Sequence, residues 1–175
     1  MKISKSLVAL GLAALLSACG GGSTGSTERT TAPLPINTFN GILVPPDPGA
    51  AANATVAGVD TDHNGIRDEI DRYIAQKYGA DLTKFAAAQA LAKVQQLLLI
   101  TPATDVNAAT AALYADTDAR FCAVRKFPND QNAVVRLIDD IVAQTFNTKN
   151  RQKQFQAIGF KVGQFTRSTE GVICP

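Results

Sequence analysis

Apolar residues recur at spacings of three and four from Ile66 to Phe165, and this period predicts helices. Residues that start or stop helices divide the stretch into five segments. The helices are predicted to begin near Arg67, after Asp81, at Thr104 or Asp105, at Asn129 or Asp130, and after Thr148, and Gly79, Pro102 and Pro128 are predicted to end the first three. No stretch alternates strongly enough to indicate a sheet. The sequence therefore predicts an all-α fold, a small bundle of about four to five helices.

The residues before these helices have a different composition. Residues 20–35 are rich in glycine, serine, threonine and proline, which is typical of a flexible tether. Three prolines in the segment Pro45-Pro46-Asp47-Pro48 exclude a helix there, and the short apolar run Ile42–Val44 is expected to pack as an extended strap. We therefore expect a tether over residues 19–55 and one domain over residues 56–175.

The first residues have the three parts of a secretory signal. Lys2 and Lys5 precede a ten-residue apolar or small run, and Leu16-Ser17-Ala18-Cys19 follows it. The run is too short to span a bilayer, which takes roughly 20 residues. The Leu-Ser-Ala-Cys segment resembles the signal of bacterial lipoproteins. An ordinary cleaved signal, in which Cys19 is incidental, is the alternative.

The lipoprotein resemblance implies removal of residues 1–18 and acylation of Cys19. Two or three acyl chains make a stable membrane anchor, whereas one chain holds only marginally. Gly20 follows the cysteine, where lipoproteins retained in the inner membrane often carry aspartate. The resemblance therefore implies a protein anchored in the bacterial outer membrane and facing the periplasm.

The charge of the processed chain argues against nucleic acid as a partner. The 17 basic residues include Lys2 and Lys5, and the remainder would balance the 15 acidic residues. Affinity for nucleic acid rests on excess basic charge. We therefore expect a membrane as partner through the lipid, and an envelope protein of unknown identity.

Residues 60–71 place oxygen-bearing side chains around a single glycine, Gly65. Numbered from Asp60, positions 1, 3, 5, 9 and 12 are Asp60, Asp62, Asn64, Asp68 and Asp71. The carbonyl of Ile66 supplies position 7. Hard cations such as calcium take six to eight oxygens, so the spacing predicts a Ca²⁺ site. The alternative is an acidic turn that caps a helix, since the helix dipole favours aspartate there.

The pattern Asp-x-Asp-x-Asn-Gly-x-x-Asp-x-x-Asp resembles the calcium loops of EF-hands, dockerins and thrombospondin type 3 repeats. Aspartate at the last position is nearer the dockerin pattern, because an EF-hand has glutamate there. The resemblance covers about a dozen residues and the helix after them. It implies Asp60, Asp62, Asn64, Ile66, Asp68 and Asp71 as calcium ligands, with His63 facing solvent.

Two cysteines remain after Cys19, namely Cys122 and Cys174. Cysteine pairs in small exported domains usually form disulfides, so we predict a bond between them. The alternative is a reactive thiol, which needs a basic partner such as histidine. His63 is the only histidine in the sequence, and it belongs to the acidic loop.

The sequence contains no recognisable catalytic set, and we expect no enzyme. The preferred hypothesis is a lipid-anchored periplasmic protein that binds calcium and serves a structural or interaction role. An immunity-type inhibitor lipoprotein of the periplasm is one alternative. A carboxylate-based envelope hydrolase is the other.

Overall fold

A computed structural model describes residues 37–174, which form five α-helices preceded by a short β-hairpin. The helices are α1 (Asp68–Tyr78), α2 (Leu82–Ile100), α3 (Val106–Lys126), α4 (Gln131–Thr145) and α5 (Lys149–Val162). The all-α prediction is confirmed, and the observed helices begin and end within a few residues of the predicted positions.

Four of the helices begin at a side chain that accepts hydrogen bonds from the first turn. This cap satisfies backbone N–H groups that have no partner within the helix. The capping residues are Asp81, Asp105, Asp130 and Thr148. α1 differs, because its N-cap residue Arg67 makes no such bond; the Asp68 N–H instead donates to the carbonyl of Val59 at 2.8 Å. The start of α1 is thus fixed by the loop before it.

Helix α2 lies at the centre of the bundle and contacts each of the other four helices. One hydrophobic cluster joins it to α1 and α4, through residues such as Ile74, Leu91 and Ile141. A second cluster joins its C-terminal end to α3 and α5, through Leu98 and Ile158. Small alanine side chains fill much of the space between, which lets the helices approach closely.

The buried face of α2 differs from the stripe that its apolar residues indicate. The sequence suggests Ala87, Ala90, Leu91, Val94, Leu97 and Leu98, yet Ala90 and Leu97 are exposed. The observed stripe recurs at the helical period and includes two glutamines: Ala87, Ala88, Leu91, Ala92, Gln95, Gln96, Leu98 and Leu99. Gln95 is fully buried and marks the boundary between the two clusters. Because Gln95 and Gln96 are polar, the apolar residues alone do not show which face of α2 is buried.

The predicted tether over residues 19–55 requires correction. Strands β1 (Asn37–Phe39) and β2 (Ile42–Val44) form an antiparallel hairpin with Asn37 opposite Val44, and Gly49–Asn53 forms a 3₁₀ helix. The side chains of Val44 and Ala52 are buried, so this segment belongs to the folded domain. The prolines exclude an α-helix but not a hairpin before them. Residues 19–36 lie outside the described residues, as do the predicted signal and Cys19.

Residues 163–174, which follow α5, have no helix or strand and lie along α3. Phe165 contacts the ring of Tyr114, with 5.9 Å between ring centroids, and Arg167 pairs with Asp118. Cys174 is bonded to Cys122, with 5.3 Å between their Cα atoms, which confirms the predicted disulfide. The three contact positions on α3 are four residues apart, so they lie on one face of the helix.

Candidate metal centre

The predicted calcium loop follows the 3₁₀ helix as a compact turn, and its last four residues form the first turn of α1. Two of its residues, His63 and Gly65, have positive φ, at 57° and 87°. Gly65 also lies against the alkyl chain of Lys93 on α2, since an added Cβ would be 3.2 Å from Lys93 Cε. The His63 side chain is exposed, as predicted. The turn therefore has the sharp bend that the sequence pattern indicates.

Backbone N–H groups of the loop donate to its own carboxylates. Asp60 accepts from the N–H groups of Asn64 at 3.2 Å and Gly65 at 3.0 Å. Asp62 also accepts from Asn64 at 3.3 Å, and Asp68 accepts from Thr61 at 2.8 Å. These bonds turn three carboxylates toward one region, where single oxygens of Asp60, Asp62 and Asp68 lie within 4.8 Å of one another.

The remaining predicted ligands are placed differently. Asn64 Nδ2 donates to Asp62 Oδ2 at 3.1 Å and to Asp71 Oδ2 at 2.5 Å, while Asn64 Oδ1 accepts from the N–H of Ile66 at 2.7 Å. The amide therefore presents its nitrogen to the acids, and coordination of a cation would require the amide to turn over. Asp71 is therefore connected to the carboxylate cluster by the hydrogen bonds of the Asn64 amide. The Ile66 side chain is buried in the core.

The Asp71 carboxyl is buried and lies close to three other acids of the loop. Burial, and after it the charges of Asp62, Asp60 and Asp68, raise the pKa of this carboxyl to about 6 against the opposing hydrogen bond from Asn64. No lysine or arginine forms an ion pair with any of these four acids within residues 37–174. The converging carboxylate oxygens suit a hard cation such as calcium, and Asn64 would add its amide oxygen only after the amide turns over.

Two fully buried arginines, one within the loop and one beside it, were not found from the sequence. Arg67, at position 8 of the loop, bonds Glu69 at 2.6 Å, Gln96 at 3.2 Å and the carbonyl of Thr145 at 3.2 Å. Arg151 on α5 approaches the same Glu69 carboxylate at 3.8 Å. No local sequence pattern reveals them, because an arginine near the start of a helix is normally expected to be exposed to solvent. Only its tertiary partners show that it is buried.

A second polar cluster joins α1 to α4. The Tyr73 and Tyr78 hydroxyls donate to the Asp140 carboxylate at 2.6 Å, and Lys77 Nζ lies 2.9 Å from it. Burial, and then the hydrogen bond to Asp140, raise the pKa of both tyrosines. The phenols thus stay protonated as donors. Neighbouring Asp139 is exposed, and adjacent residues of a helix point about 100° apart.

None of the helices within residues 37–174 is long and apolar enough to cross a membrane. The chain matches no protein-family model, no curated protein and no solved structure.

Proposed function

We propose that this chain is a lipid-anchored periplasmic protein that binds calcium in the loop of residues 60–71. Calcium acts there as a structural clip for a domain that carries out a structural or interaction role at the bacterial envelope. No catalytic role is proposed. The observation that carries the proposal is the convergence of the Asp60, Asp62 and Asp68 oxygens, which form no ion pair with a lysine or arginine within residues 37–174.

The surroundings of the loop favour a structural clip over a calcium sensor. Ile66 and Ile70 belong to the main core cluster, and Arg67 bonds to α2 and to the end of α4. One side of the loop is therefore fixed in the bundle. A sensor needs a bistable pair of helices that opens a groove when the ion binds. A fixed loop would instead stabilise the native state by mass action.

The calcium site is tested by calorimetry and thermal unfolding. We expect one ion per chain with an affinity of about 10⁻⁴–10⁻³ M or somewhat tighter, as in extracellular modules. Millimolar calcium should then raise the melting temperature by a few degrees. Asp60→Ala with Asp62→Ala should abolish both the binding heat and this gain while the helical content remains.

The matched control replaces two exposed acids outside the loop, Asp139→Ala with Glu170→Ala, which changes the net charge equally. This control should bind calcium as the wild type does. If calcium changes neither the melting temperature nor the heat of the wild type, the loop is only a turn. Exposure of a large apolar surface to a dye on calcium addition would instead favour a sensor.

The lipid anchor is tested separately at Cys19. Cys19→Ser should leave unlipidated precursor and remove the chain from the detergent-extractable membrane fraction, because the acyl chains supply the anchor. Cys122→Ser is the control, since it changes a cysteine that the proposal does not lipidate. Recovery of the Cys19→Ser chain in that membrane fraction would contradict the anchor without affecting the calcium proposal.

A further inference from the structure

A cavity of about 550 Å³ lies between α2, α3 and the chain that follows α5. Its walls are mostly apolar, and no aromatic ring of the described part of the chain lines it. Small side chains line the two helices, among them Ala87 and Ala90 on α2 and Ala119 on α3. The volume falls within the range of about 300–1,000 Å³ that is typical of small-molecule sites. We name this cavity the α2–α3 groove.

The third wall of the groove is held in place covalently. Val172 and Ile173 line it, and the adjacent Cys174 is bonded to Cys122. The disulfide therefore keeps an apolar segment beside the alanines. The Ile173 side chain is 90% exposed, which leaves apolar surface available to a ligand. A pocket whose walls are fixed before a ligand arrives requires less ordering when the ligand binds.

The charges that border the groove are complementary to an anion. Asp118 is the only acid that lines the groove among residues 37–174, and it is paired with Arg167, whose Nε and Nη2 donate to it at 2.9 and 2.7 Å. Lys93 from α2 and Lys126 from α3 also border the groove. Neither lysine forms an ion pair within residues 37–174. The groove thus combines an apolar floor with two available cations.

We propose that the α2–α3 groove binds a free aliphatic carboxylate, with the alkyl chain on the alanine floor and the carboxylate on Lys93 or Lys126. Ala87 and Val94 border the groove seven residues apart on α2, which is about 10 Å along the helix axis. That length suits an alkyl chain of medium length. The absence of aromatic rings from the lining favours an aliphatic body over a stacked one.

The test is calorimetric titration of decanoate into the Cys19→Ser chain, so that no acyl chain of the protein competes. The buffer is free of calcium, because calcium precipitates fatty acids, and decanoate stays below its micellar concentration. We expect binding at one site per chain. Hexanoate, four methylenes shorter, should bind on the order of a hundredfold more weakly if the chain is buried. Decyltrimethylammonium should not bind, because its head carries the wrong charge.

Two sets of variants assign the binding to this groove. Ala90→Leu fills the floor at an exposed helical position and should weaken decanoate at least about tenfold. Ala111→Leu makes the same change at an exposed position of α3 outside the groove and should leave binding unchanged. Lys93→Gln or Lys126→Gln should weaken decanoate, and neither should weaken the uncharged decanol.

Three results would overturn the proposal. One is no decanoate binding. Another is equal binding of the cationic amphiphile. The third is binding that Ala90→Leu leaves unchanged. If decanoate does not bind but Ala90→Leu weakens attachment of the Cys19→Ser chain to phosphatidylglycerol vesicles, the groove contacts a lipid surface and the proposal of a free carboxylate is wrong.

Discussion

Arg151 connects three parts of the chain through one fully buried guanidinium. It donates to the carbonyls of Ala52 at 2.5 Å and Val56 at 3.1 Å, ahead of the acidic loop. It also donates to the side chains of Asn53 at 2.8 Å and Asn147 at 2.6 Å. A buried charge needs this density of partners, because leaving it unpaired costs several kcal/mol. The planar fork of arginine reaches all of them at once, which a lysine could not do.

Gly58 lies between the two buried arginines, and its replacement is the most informative single change there. Its φ is +71°, and an added Cβ would fall far inside contact distance of Arg67 Cδ and 3.1 Å from Arg151 Nη2. We expect Gly58→Ala to lower the free energy of unfolding by about 2–5 kcal/mol, from backbone strain and overpacking together. Urea denaturation measures the change.

Gly41→Ala separates the two causes. Gly41 has a similar φ of +79°, but an added Cβ would meet nothing within 4 Å. In this variant the free energy of unfolding should fall only by the cost of backbone strain, about 1–2 kcal/mol. Equal losses of unfolding free energy in the two variants would show that contact with the arginines adds no cost at position 58.

The helices could be predicted from the sequence because their signals are local. Capping side chains at Asp81, Asp130 and Thr148 stand directly before apolar periods, and a proline or glycine follows most of the helices. The buried faces were harder to predict. In α2 the fully buried Gln95 occupies a core position that no rule based on apolar residues would assign. Only packing against several neighbours at once determines that face.

The hairpin was missed although its turn signal is present. Asn40-Gly41 stands between apolar residues, and both have positive φ, at 50° and 79°. That is the arrangement that a two-residue hairpin turn favours. The strands have only three residues each, and a short hairpin is not stable alone. Asn40 Nδ2 donates to the carbonyl of Ala75 at 2.8 Å, so contact with α1 stabilises the hairpin.

Truncation tests whether residues 37–55 belong to the domain. A chain that begins at residue 37 should melt at the same temperature as the mature chain. A chain that begins at residue 56 should melt well below it, because it loses the buried Val44 and Ala52 and leaves Arg151 without three of its partners. Thermal unfolding followed by circular dichroism measures both. Equal melting temperatures for the two truncated chains would support a tether that extends to residue 55.

The contact between α1 and α4 should depend on pH. Burial raises the pKa of Asp140, but hydrogen bonds from Tyr73, Tyr78 and Lys77 outweigh it, so the pKa lies below its ordinary value of 3.8. The native state therefore binds this proton less readily than the unfolded chain does. The resulting stability is fully present above the ordinary pKa, and it is lost as pH falls through the lower native value.

Asp140→Asn measures this contribution. The difference in unfolding free energy between wild type and variant should be largest near neutral pH and should shrink as the pH falls below about 4. Asp139→Asn, at the exposed neighbouring position, should show almost no difference at any pH. A wild-type advantage over Asp140→Asn that persists undiminished at low pH would contradict the lowered pKa.

At the scale of the whole molecule, the candidate metal site depends on more than its sequence pattern. The spacing predicts the loop, and three of its carboxylates do converge. The spacing does not reveal that Asn64 turns its nitrogen toward Asp62 and Asp71, or that Arg67 ties the loop to the end of α4. Amide orientation depends on the local hydrogen bonds, and burial of Arg67 depends on helices more than 25 residues away in sequence. Both are properties of the assembled fold.

The disulfide Cys122–Cys174 fixes the chain after α5 against α3, and its removal should destabilise the molecule without unfolding the helices. The bond closes a loop across a sequence separation of 52 residues, which in the chain-entropy model corresponds to roughly 4 kcal/mol. The Asp118–Arg167 ion pair is largely exposed and contributes little by itself. Reduction should therefore shift urea denaturation to a lower midpoint while the far-ultraviolet circular dichroism stays the same. Cys122→Ala with Cys174→Ala should match the reduced protein and should not respond to the reductant. The same midpoint for oxidised and reduced wild type would mean that noncovalent contacts with α3 are enough to hold this part of the chain.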